Sequence, residues 1–302
     1  MKTLKCRESL HQTFCFRGLQ ARYVFSEDEQ ERYNKLVKGE EGEAIADELL
    51  HLFFQHDDGI YLCDLRLNIN YQQVQIDSLL VLDNCVIVFE VKNLSFDLNY
   101  RDGNFYLMNG EPFSALNEQL ARLKKVVSSY IAQYDPFVDV IVYPFFVNPE
   151  QTIHGILLNG DVLVKDNYQH VLMEYRKQFN LGPAAAITKY LLKRSVPNNF
   201  DKRMEVDYSL VKKGVYCSVC FKEMQRISQR RVFCVNCNQH SNTSDIVHNA
   251  VKDIGKIWPD QLITSKLIAD WLGNGVSIRS VQRIMKNNYE RIESHHFGHH
   301  YR

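Results

Sequence analysis

The run Gln75-Ile76-Asp77-Ser78-Leu79-Leu80-Val81-Leu82-Asp83-Asn84-Cys85-Val86-Ile87-Val88-Phe89-Glu90-Val91-Lys92 reads as two β-strands around a tight turn. Val74 to Leu82 and Cys85 to Lys92 are apolar and rich in β-branched residues, and only Asp83 and Asn84 separate them, two residue types that tolerate left-handed backbone. A two-residue turn makes cross-strand partners sum to 167, so that Asp77 faces Glu90 and Gln75 faces Lys92, with all four on one side of the sheet. Like charges directly opposite destabilise a sheet. A divalent cation between the carboxylates accounts for the arrangement, with Lys92 beside them to position or polarise an incoming group. Leu79, Val81 and Val88 share that face, which is too apolar for a solvated surface.

The flanking elements form an α/β order. Glu27 to Phe54 reads as a helix with an apolar stripe through Leu36, Ala46, Leu50 and Phe53. Glu43 lies on that stripe, where a carboxylate is costly unless its charge is compensated. Ile60 to Ile69 reads as a strand, and a hairpin follows around Arg101 to Gly103. Leu116 to Tyr134 carries Leu116, Leu120, Leu123, Val127 and Ile131 at helical spacing, and Val138 to Val147 is an apolar strand. A shorter strand and helices at Val171 to Phe179 and Pro183 to Arg194 complete a first domain, ended by a linker at Pro197.

Gly39-Glu40-Glu41-Gly42-Glu43, Gln75-Ile76-Asp77, Phe89-Glu90-Val91-Lys92-Asn93 and Asn117-Glu118-Gln119 resemble, in order, the motifs of the nuclease-related domain, NERD. That family has the PD-(D/E)xK, restriction-endonuclease-like fold, and the resemblance covers residues 38–147, about a third of the chain. It implies a mixed sheet flanked by helices and a Mg²⁺- or Mn²⁺-dependent phosphodiester hydrolase. It also implies metal binding by Asp77, Glu90 and Glu43, a catalytic Lys92, and Gln119 reaching the site from the second helix. The proline usual in the family between Asn117 and Gln119 is absent.

Cys217-x-x-Cys220 and Cys234-x-x-Cys237, thirteen residues apart, have the spacing of a tetrahedral Zn²⁺ site. The segment between is too small for its own core, so structural zinc would make it fold, and the module resembles a zinc ribbon. A redox role for the cysteines is the alternative. His240 could replace one ligand; Cys6, Cys15, Cys63 and Cys85 lack such spacing. Beyond a helix near Ser244 to Ile257, Thr264 caps a helix to Leu272, Gly273-Asn274-Gly275-Val276 forms a turn, and Ser277 caps a helix through Asn287. Val281, Ile284 and Met285 point inward, and Arg279, Arg283 and Lys286 outward, suited to phosphates or a major groove. Arg291-Ile292-Glu293 and Phe297 to Tyr301 could pair as a wing. This segment resembles winged-helix domains, and a dimerising helical bundle explains the same pattern. His295, His296, His299 and His300 read as surface histidines.

With 45% hydrophobic and 24% charged residues, composition excludes disorder, collagen and a disulfide scaffold. The 36 basic and 36 acidic residues are unevenly placed: residues 1–200 hold 20 and 26, residues 201–302 hold 16 and 10. The basic end suits an anionic partner. No run is apolar enough for a membrane span and none resembles a signal peptide, so a cytoplasmic protein with reduced or metal-bound cysteines is expected. The sequence therefore predicts a nuclease domain at 1–200 with its motif core at 38–147, a zinc ribbon at 211–242 and a winged-helix-like DNA-binding domain at 243–302. DNA is the expected partner, with RNA and a homo-oligomer left open. The rival is a non-catalytic nucleic-acid-binding or scaffold protein on a nuclease-like fold.

Overall fold

The computed structural model describes residues 1–69, 72–158, 160–177, 181–198, 204–294 and 298–301. In chain order the first elements are β1 (Lys2–Lys5), α1 (His11–Leu19), α2 (Glu27–Phe53), β2 (Ile60–Ile69), β3 (Gln72–Val81) and β4 (Cys85–Lys92). Then come β5 (Leu98–Arg101), β6 (Asn104–Leu107), α3 (Ser114–Tyr134), β7 (Asp139–Phe146), β8 (Ile153–His154), β9 (Leu163–Val164), α4 (Tyr168–Leu172) and α5 (Leu181–Lys193). The C-terminal third contains β10 (Gln225–Arg226), β11 (Arg231–Phe233), β12 (His240–Asn242), α6 (Thr243–Ile257), α7 (Ser265–Leu272), α8 (Ile278–Asn288), β13 (Arg291–Ser294) and β14 (Gly298–Tyr301). Two units share the chain: Met1–Glu8 with Asn34–Asn199, and Ser9–Tyr33 with Phe200–Arg302.

The first unit is built on a six-stranded sheet in the order β1-β2-β3-β4-β7-β9. β2, β3 and β4 are antiparallel; β1 runs parallel to β2, and β7 parallel to both β4 and β9. Seven of the eight residues of β4 are buried, as expected of a run dense in Val, Ile and Phe with a layer on each face. On one face Ala46 and Leu50 of α2 and Tyr168, Val171 and Leu172 of α4 pack on Tyr61, Leu80, Ile87 and Phe89. On the other, Leu123, Val127 and Ile131 of α3 and Ile187 and Leu191 of α5 pack on Leu62, Leu79, Val86 and Val88. This is the mixed sheet flanked by helices that the motifs implied.

The sheet is irregular in its second and third strands. The alternation of β2 slips by one residue at Asp64, whose φ is 51°: Ile60 and Leu62 before it, and Leu65 and Leu67 after it, enter the same core. β3 slips at the same level, because Ile76 and Leu79 also share that core. Such bulges re-aim side chains. The β5–β6 hairpin turns through Asp102 and Gly103, both at positive φ (50° and 75°), as a two-residue primed turn requires.

Helix α4 begins earlier than the expected Val171 and passes into a 3₁₀ turn at Met173–Lys177. The buried Asn167 accounts for the early start: its Oδ1 accepts the Val164 N–H at 2.8 Å and its Nδ2 donates to the Val162 carbonyl at 3.0 Å, turning the chain out of β9. Gln178 and Phe179, the expected end of that helix, lie outside the described residues.

In the second unit Cys15 and Leu19 of α1 enter one core with Val247 and Ile254 of α6, Ile268 and Trp271 of α7, Val281 and Met285 of α8, and Met224, Val232 and Cys234 of the cysteine segment. The grouping therefore differs from a linear division at residue 200, and the cysteine segment and terminal helices share their interior rather than forming two separate cores. Arg22 fastens the N-terminal contribution. Its buried guanidinium donates to the carbonyls of Lys212 (3.2 Å), Trp271 (3.1 Å) and Gly214 (2.9 Å), and lies 3.9 Å from the Trp271 ring centroid. Thr264 and Ser277 cap α7 and α8 as expected, accepting N–H bonds from Leu267 and Ser280. β13 and β14 pair as a hairpin after α8, and His295, His296 and Phe297 lie outside the described residues. Among the described residues no helix is long and apolar enough to cross a membrane.

Arg22→Ala should destabilise the second unit by about 2–4 kcal/mol, since the carbonyls of Lys212, Trp271 and Gly214 each lose a charged donor and the Trp271 ring loses its stacked cation. The chain's two tryptophans, Trp258 and Trp271, both belong to this unit, so fluorescence-monitored urea unfolding reads it selectively. A loss below about 0.5 kcal/mol would show that the guanidinium is not a fastening.

Candidate active site

Ser78 pairs with Phe89, Leu79 with Val88, Leu80 with Ile87 and Val81 with Val86, which is the register expected from a two-residue turn at Asp83 and Asn84. The backbone ladder ends at Ser78, one residue short of Asp77. There the Asp77 carboxylate takes over as acceptor: Oδ2 receives the Val91 N–H at 2.9 Å. The expected pairing of Gln75 with Lys92 is not formed, because the slip in β3 takes Gln75 away from β4, and its Oε1 instead accepts from Arg66 at 3.3 Å.

β4 is also held parallel to β7, with Glu90 opposite Pro144 and Lys92 opposite Phe146. Helix α3 supplies Gln119, and the three side chains close a triangle: Lys92 Nζ donates to Glu90 Oε1 (2.6 Å) and Gln119 Oε1 (3.1 Å), and Gln119 Nε2 donates to Glu90 Oε1 (2.6 Å). The start of α3 has no side-chain cap. Asn117 secures it instead, exchanging bonds with the backbone N–H (2.8 Å) and carbonyl (3.1 Å) of Phe105.

Helix α2 delivers Glu43 by a close approach at Gly42, where a Cβ would stand 2.5 Å from that of Asn93. Asn93 Nδ2 in turn donates to the Lys38 carbonyl at 2.9 Å, tying the end of β4 to the helix. Of the two glycines in the first motif, Gly42 is thus a packing requirement, whereas a Cβ at Gly39 would meet nothing within 4 Å.

Sequence reasoning missed several groups here. Arg7, carried in by the β1–β2 pairing, donates to Glu43 Oε2 (2.5 Å), to both oxygens of Asp47 (3.0 and 3.1 Å), to the Asp77 carbonyl (2.8 Å) and to Ser78 Oγ (3.0 Å). Asp47 also accepts from Tyr61 (2.7 Å) and Ser78 (2.8 Å). Asp47 follows Glu43 by one helical turn, so the periodicity that exposed Glu43 could have found it. A lone arginine forty residues upstream leaves no such trace. On β2, Asp64 Oδ2 accepts from Arg66 at 2.7 Å, and Lys5 donates to the Asp64 carbonyl.

The electrostatics derive from burial. Asp77 is 8% exposed and Glu90 2% exposed. Burial, then the Asp77 charge, pushes Glu90 up to about 7 against the pull of Lys92. Burial and the Asp77 charge likewise push Glu43 up to about 8, although Arg7 opposes the shift. Asp77 is raised as well, by burial foremost, with Lys92, the Val91 N–H and Arg7 opposing. Burial alone would lower Arg7, but its Asp47 hydrogen bonds and the charge of Glu43 outweigh that and hold it above the ordinary arginine range. Five carboxylates, Glu43, Asp47, Asp64, Asp77 and Glu90, are gathered about four cationic side chains, Lys5, Arg7, Arg66 and Lys92, a donor set that fits a divalent cation.

In the second unit the sulfur atoms of Cys217, Cys220, Cys234 and Cys237 lie within 4.8 Å of one another. Among the described residues they are the one such group of three or more potential ligands, so the carboxylates of the first unit are spread more widely. Cys217 and Cys237 sulfurs are 3.5 Å apart and Cys220 and Cys234 sulfurs 3.4 Å, against about 3.8 Å for a tetrahedron with Zn–S bonds near 2.3 Å. The two C-x-x-C turns repeat one geometry. Cys217 N–H donates to Lys222 and Phe221 N–H to Cys217, while Cys234 N–H donates to Gln239 and Asn238 N–H to Cys234. Phe221 and Asn238 hold φ of 59° and 60°, bending the chain after each pair of sulfurs. Such a set fits a structural zinc and leaves no open position for catalysis. Arg279, Arg283 and Lys286 are all exposed on α8, and Arg283 lines a hollow with Arg230, Asn287 and Asn288.

Residues 38–147 match the family model of the nuclease-related domain. The match spans Glu43, Asp77, Glu90, Lys92 and Gln119, and it excludes Arg7. No curated protein and no solved structure matches the chain.

Metal analysis of the purified protein should find one equivalent of zinc. Cys234→Ser should lose it and lower the fluorescence midpoint of the second unit, because Cys234 also belongs to that unit's core. Less than about 0.2 equivalent in a stably folded wild type would rule the assignment out.

Proposed function

We propose that the first unit is a divalent-cation-dependent nuclease that hydrolyses DNA phosphodiester bonds, and that the second holds the DNA through a zinc ribbon and a winged-helix-like segment. The observation that supports this reading is the gathering of Glu43, Asp77, Glu90, Lys92 and Gln119, drawn from α2, β3, β4 and α3, into one cluster of buried, mutually interacting carboxylates around a lysine. Asp77 and Glu90 would hold Mg²⁺ or Mn²⁺ with Glu43 close by, and the Val91 N–H fixes the orientation of Asp77. When bound, the cation supplies charge neutralisation at phosphorus and at the leaving oxygen. The Lys92 ammonium, steered by Glu90 and Gln119, stands where it can orient the attacking water and stabilise its developing negative charge. Arg279, Arg283 and Lys286 would contact phosphates or the major groove, supported by the hairpin that follows α8.

Plasmid and single-stranded DNA incubated with Mg²⁺, Mn²⁺ or EDTA test the reading. Cleavage should require the cation, and Asp77→Asn should abolish it while leaving DNA affinity within about twofold of wild type. Arg283→Ala should weaken DNA binding, with a salt dependence smaller by about one counterion, yet still cut at saturating DNA. DNA binding without cleavage under every metal condition would make the protein a non-catalytic scaffold. Normal DNA binding by Arg283→Ala with a changed oligomeric state would make the terminal helices a dimerisation module.

Metal binding should also depend on pH. Protons compete with the cation for Glu43, held near 8, and Glu90, held near 7, so Mn²⁺ affinity measured by calorimetry should rise from pH 6 to pH 8.5. The gain is up to about tenfold per pH unit for each proton displaced. An affinity flat across that range would show that these carboxylates are not ligands.

A further inference from the structure

A cavity of about 310 Å³ lies within the second unit, where α1 meets α6 beside the first C-x-x-C turn, and it is used by neither the sulfur cluster nor the cations of α8. That volume is at the lower end of the range for ligand pockets. Phe14 of α1, Ala250 of α6 and Phe221 of the cysteine turn give it apolar walls. Gly18 keeps it open: a Cβ there would stand 3.2 Å from Ile257 Cδ1 and 3.8 Å from Asp253 Cγ. Asp253 lines this cavity and forms no hydrogen bond or ion pair among the described residues. Arg22 lines it too, but its guanidinium is committed to three carbonyls. Burial pushes the Asp253 carboxyl up to about 6, with Arg22 and Lys252 opposing, so at pH 8 it is ionised and can only accept hydrogen bonds. Asn249, one helical turn earlier on α6, lines the same cavity and adds an amide donor. The rim has the opposite sign. Arg17 is exposed there, and the exposed ammonium groups of Lys256 and Lys252 stand 4.4 and 5.8 Å from the Phe14 ring centroid.

Aromatic walls, an acceptor within and cations outside call for a planar ligand with N–H donors at one edge and negative charge beyond the other. Guanine presents two adjacent donors, N1–H and the N2 amino group, beside the O6 acceptor, and its nucleotide carries a phosphate. Adenine and cytosine offer a donor beside an acceptor, and thymine a donor between two acceptors. A cationic peptide side chain would match Asp253 but meet repulsion at the rim. We propose that this cavity takes an unpaired guanine base of single-stranded DNA, with Asp253 accepting from N1 and N2, Asn249 donating to O6, and the aromatic walls against the ring faces.

The inference rests on the reading of the second unit as the part that holds DNA, and two labelled oligomers separate the two. Fluorescence anisotropy of the zinc-loaded full chain at pH 8, without added Mg²⁺ or Mn²⁺, compares an oligothymidylate with the same oligomer carrying one central guanine. Wild type should bind the guanine oligomer about tenfold more tightly. Asp253→Asn, which keeps the side-chain shape, and Asn249→Asp, at an exposed position that leaves the fold intact, should bind the two oligomers alike, with oligothymidylate affinity within about twofold of wild type. Equal binding of both oligomers by wild type, or a preference that survives both substitutions, overturns the guanine site and leaves DNA holding by the second unit standing. Deoxyguanosine monophosphate binding as tightly as the guanine oligomer would make the site one for a free nucleotide. An arginine-containing peptide that binds wild type but not Asp253→Asn, where the oligomers bind alike, would make the occupant a protein segment. Binding of neither oligomer overturns both readings.

Discussion

Carboxylates removed from water repel one another with little screening, and the first unit gathers Glu43, Asp47, Asp64, Asp77 and Glu90 about Lys5, Arg7, Arg66 and Lys92. Much of the surrounding structure serves to hold that assembly together. β1 exists at the sheet edge to bring Lys5 and Arg7, α3 is secured through Asn117 so that Gln119 reaches Glu90, and Gly42 lets α2 come within reach of β4. The two slips in alternation open the sheet where the acids meet. The slips and the close approach at Gly42 depart from the regular patterns of strand and helix, and both lie beside the buried carboxylates.

Arg7 has a double position in this balance. It compensates Glu43 and Asp47 directly and reaches the backbone of β3, so it orders the cleft through the same bonds by which it occupies Glu43. A cation that drew Glu43 into its shell would have to do so in competition with a guanidinium, and Asp47, bonded to Arg7 at both oxygens, would keep the arginine from leaving the cleft altogether.

The second unit solves a different problem. Its cysteine segment is too short for a core, so it combines a sulfur cluster at one end with Met224 and Val232 inserted among α1, α6, α7 and α8. The helices would have little apolar cover of their own on that side. Residues 9–33 complete the interior, and the buried Arg22, lowered to about 10 by desolvation, remains in place through three carbonyls and two aromatic rings.

What the sequence determined by itself was whatever depends on short spacing. Asp83 and Asn84 set the register of β3 against β4, the period of Leu116 to Ile131 set the buried face of α3, Thr264 and Ser277 set the starts of α7 and α8, and two C-x-x-C pairs announced a sulfur cluster. The four motifs likewise singled out Glu43, Asp77, Glu90, Lys92 and Gln119 by their order along the chain. Only the tertiary structure decided which distant residues join that cluster. Arg7 lies thirty-six residues from Glu43 and seventy from Asp77, and nothing in its neighbours marks it; it is selected by the parallel pairing of β1 with β2. Asp64 is hidden for a related reason: strict alternation is the rule by which a strand is read, and the bulge that gives Asp64 its position is a departure from that rule. The assignment of residues 9–33 to the second unit is also a long-range choice, made by Leu19, Cys15 and Arg22 finding partners about two hundred residues later. Local spacing fixes elements because backbone sterics and hydrogen bonding act over a few residues, whereas convergence depends on which buried charges and apolar faces find compensation, and that is settled only when the whole chain packs.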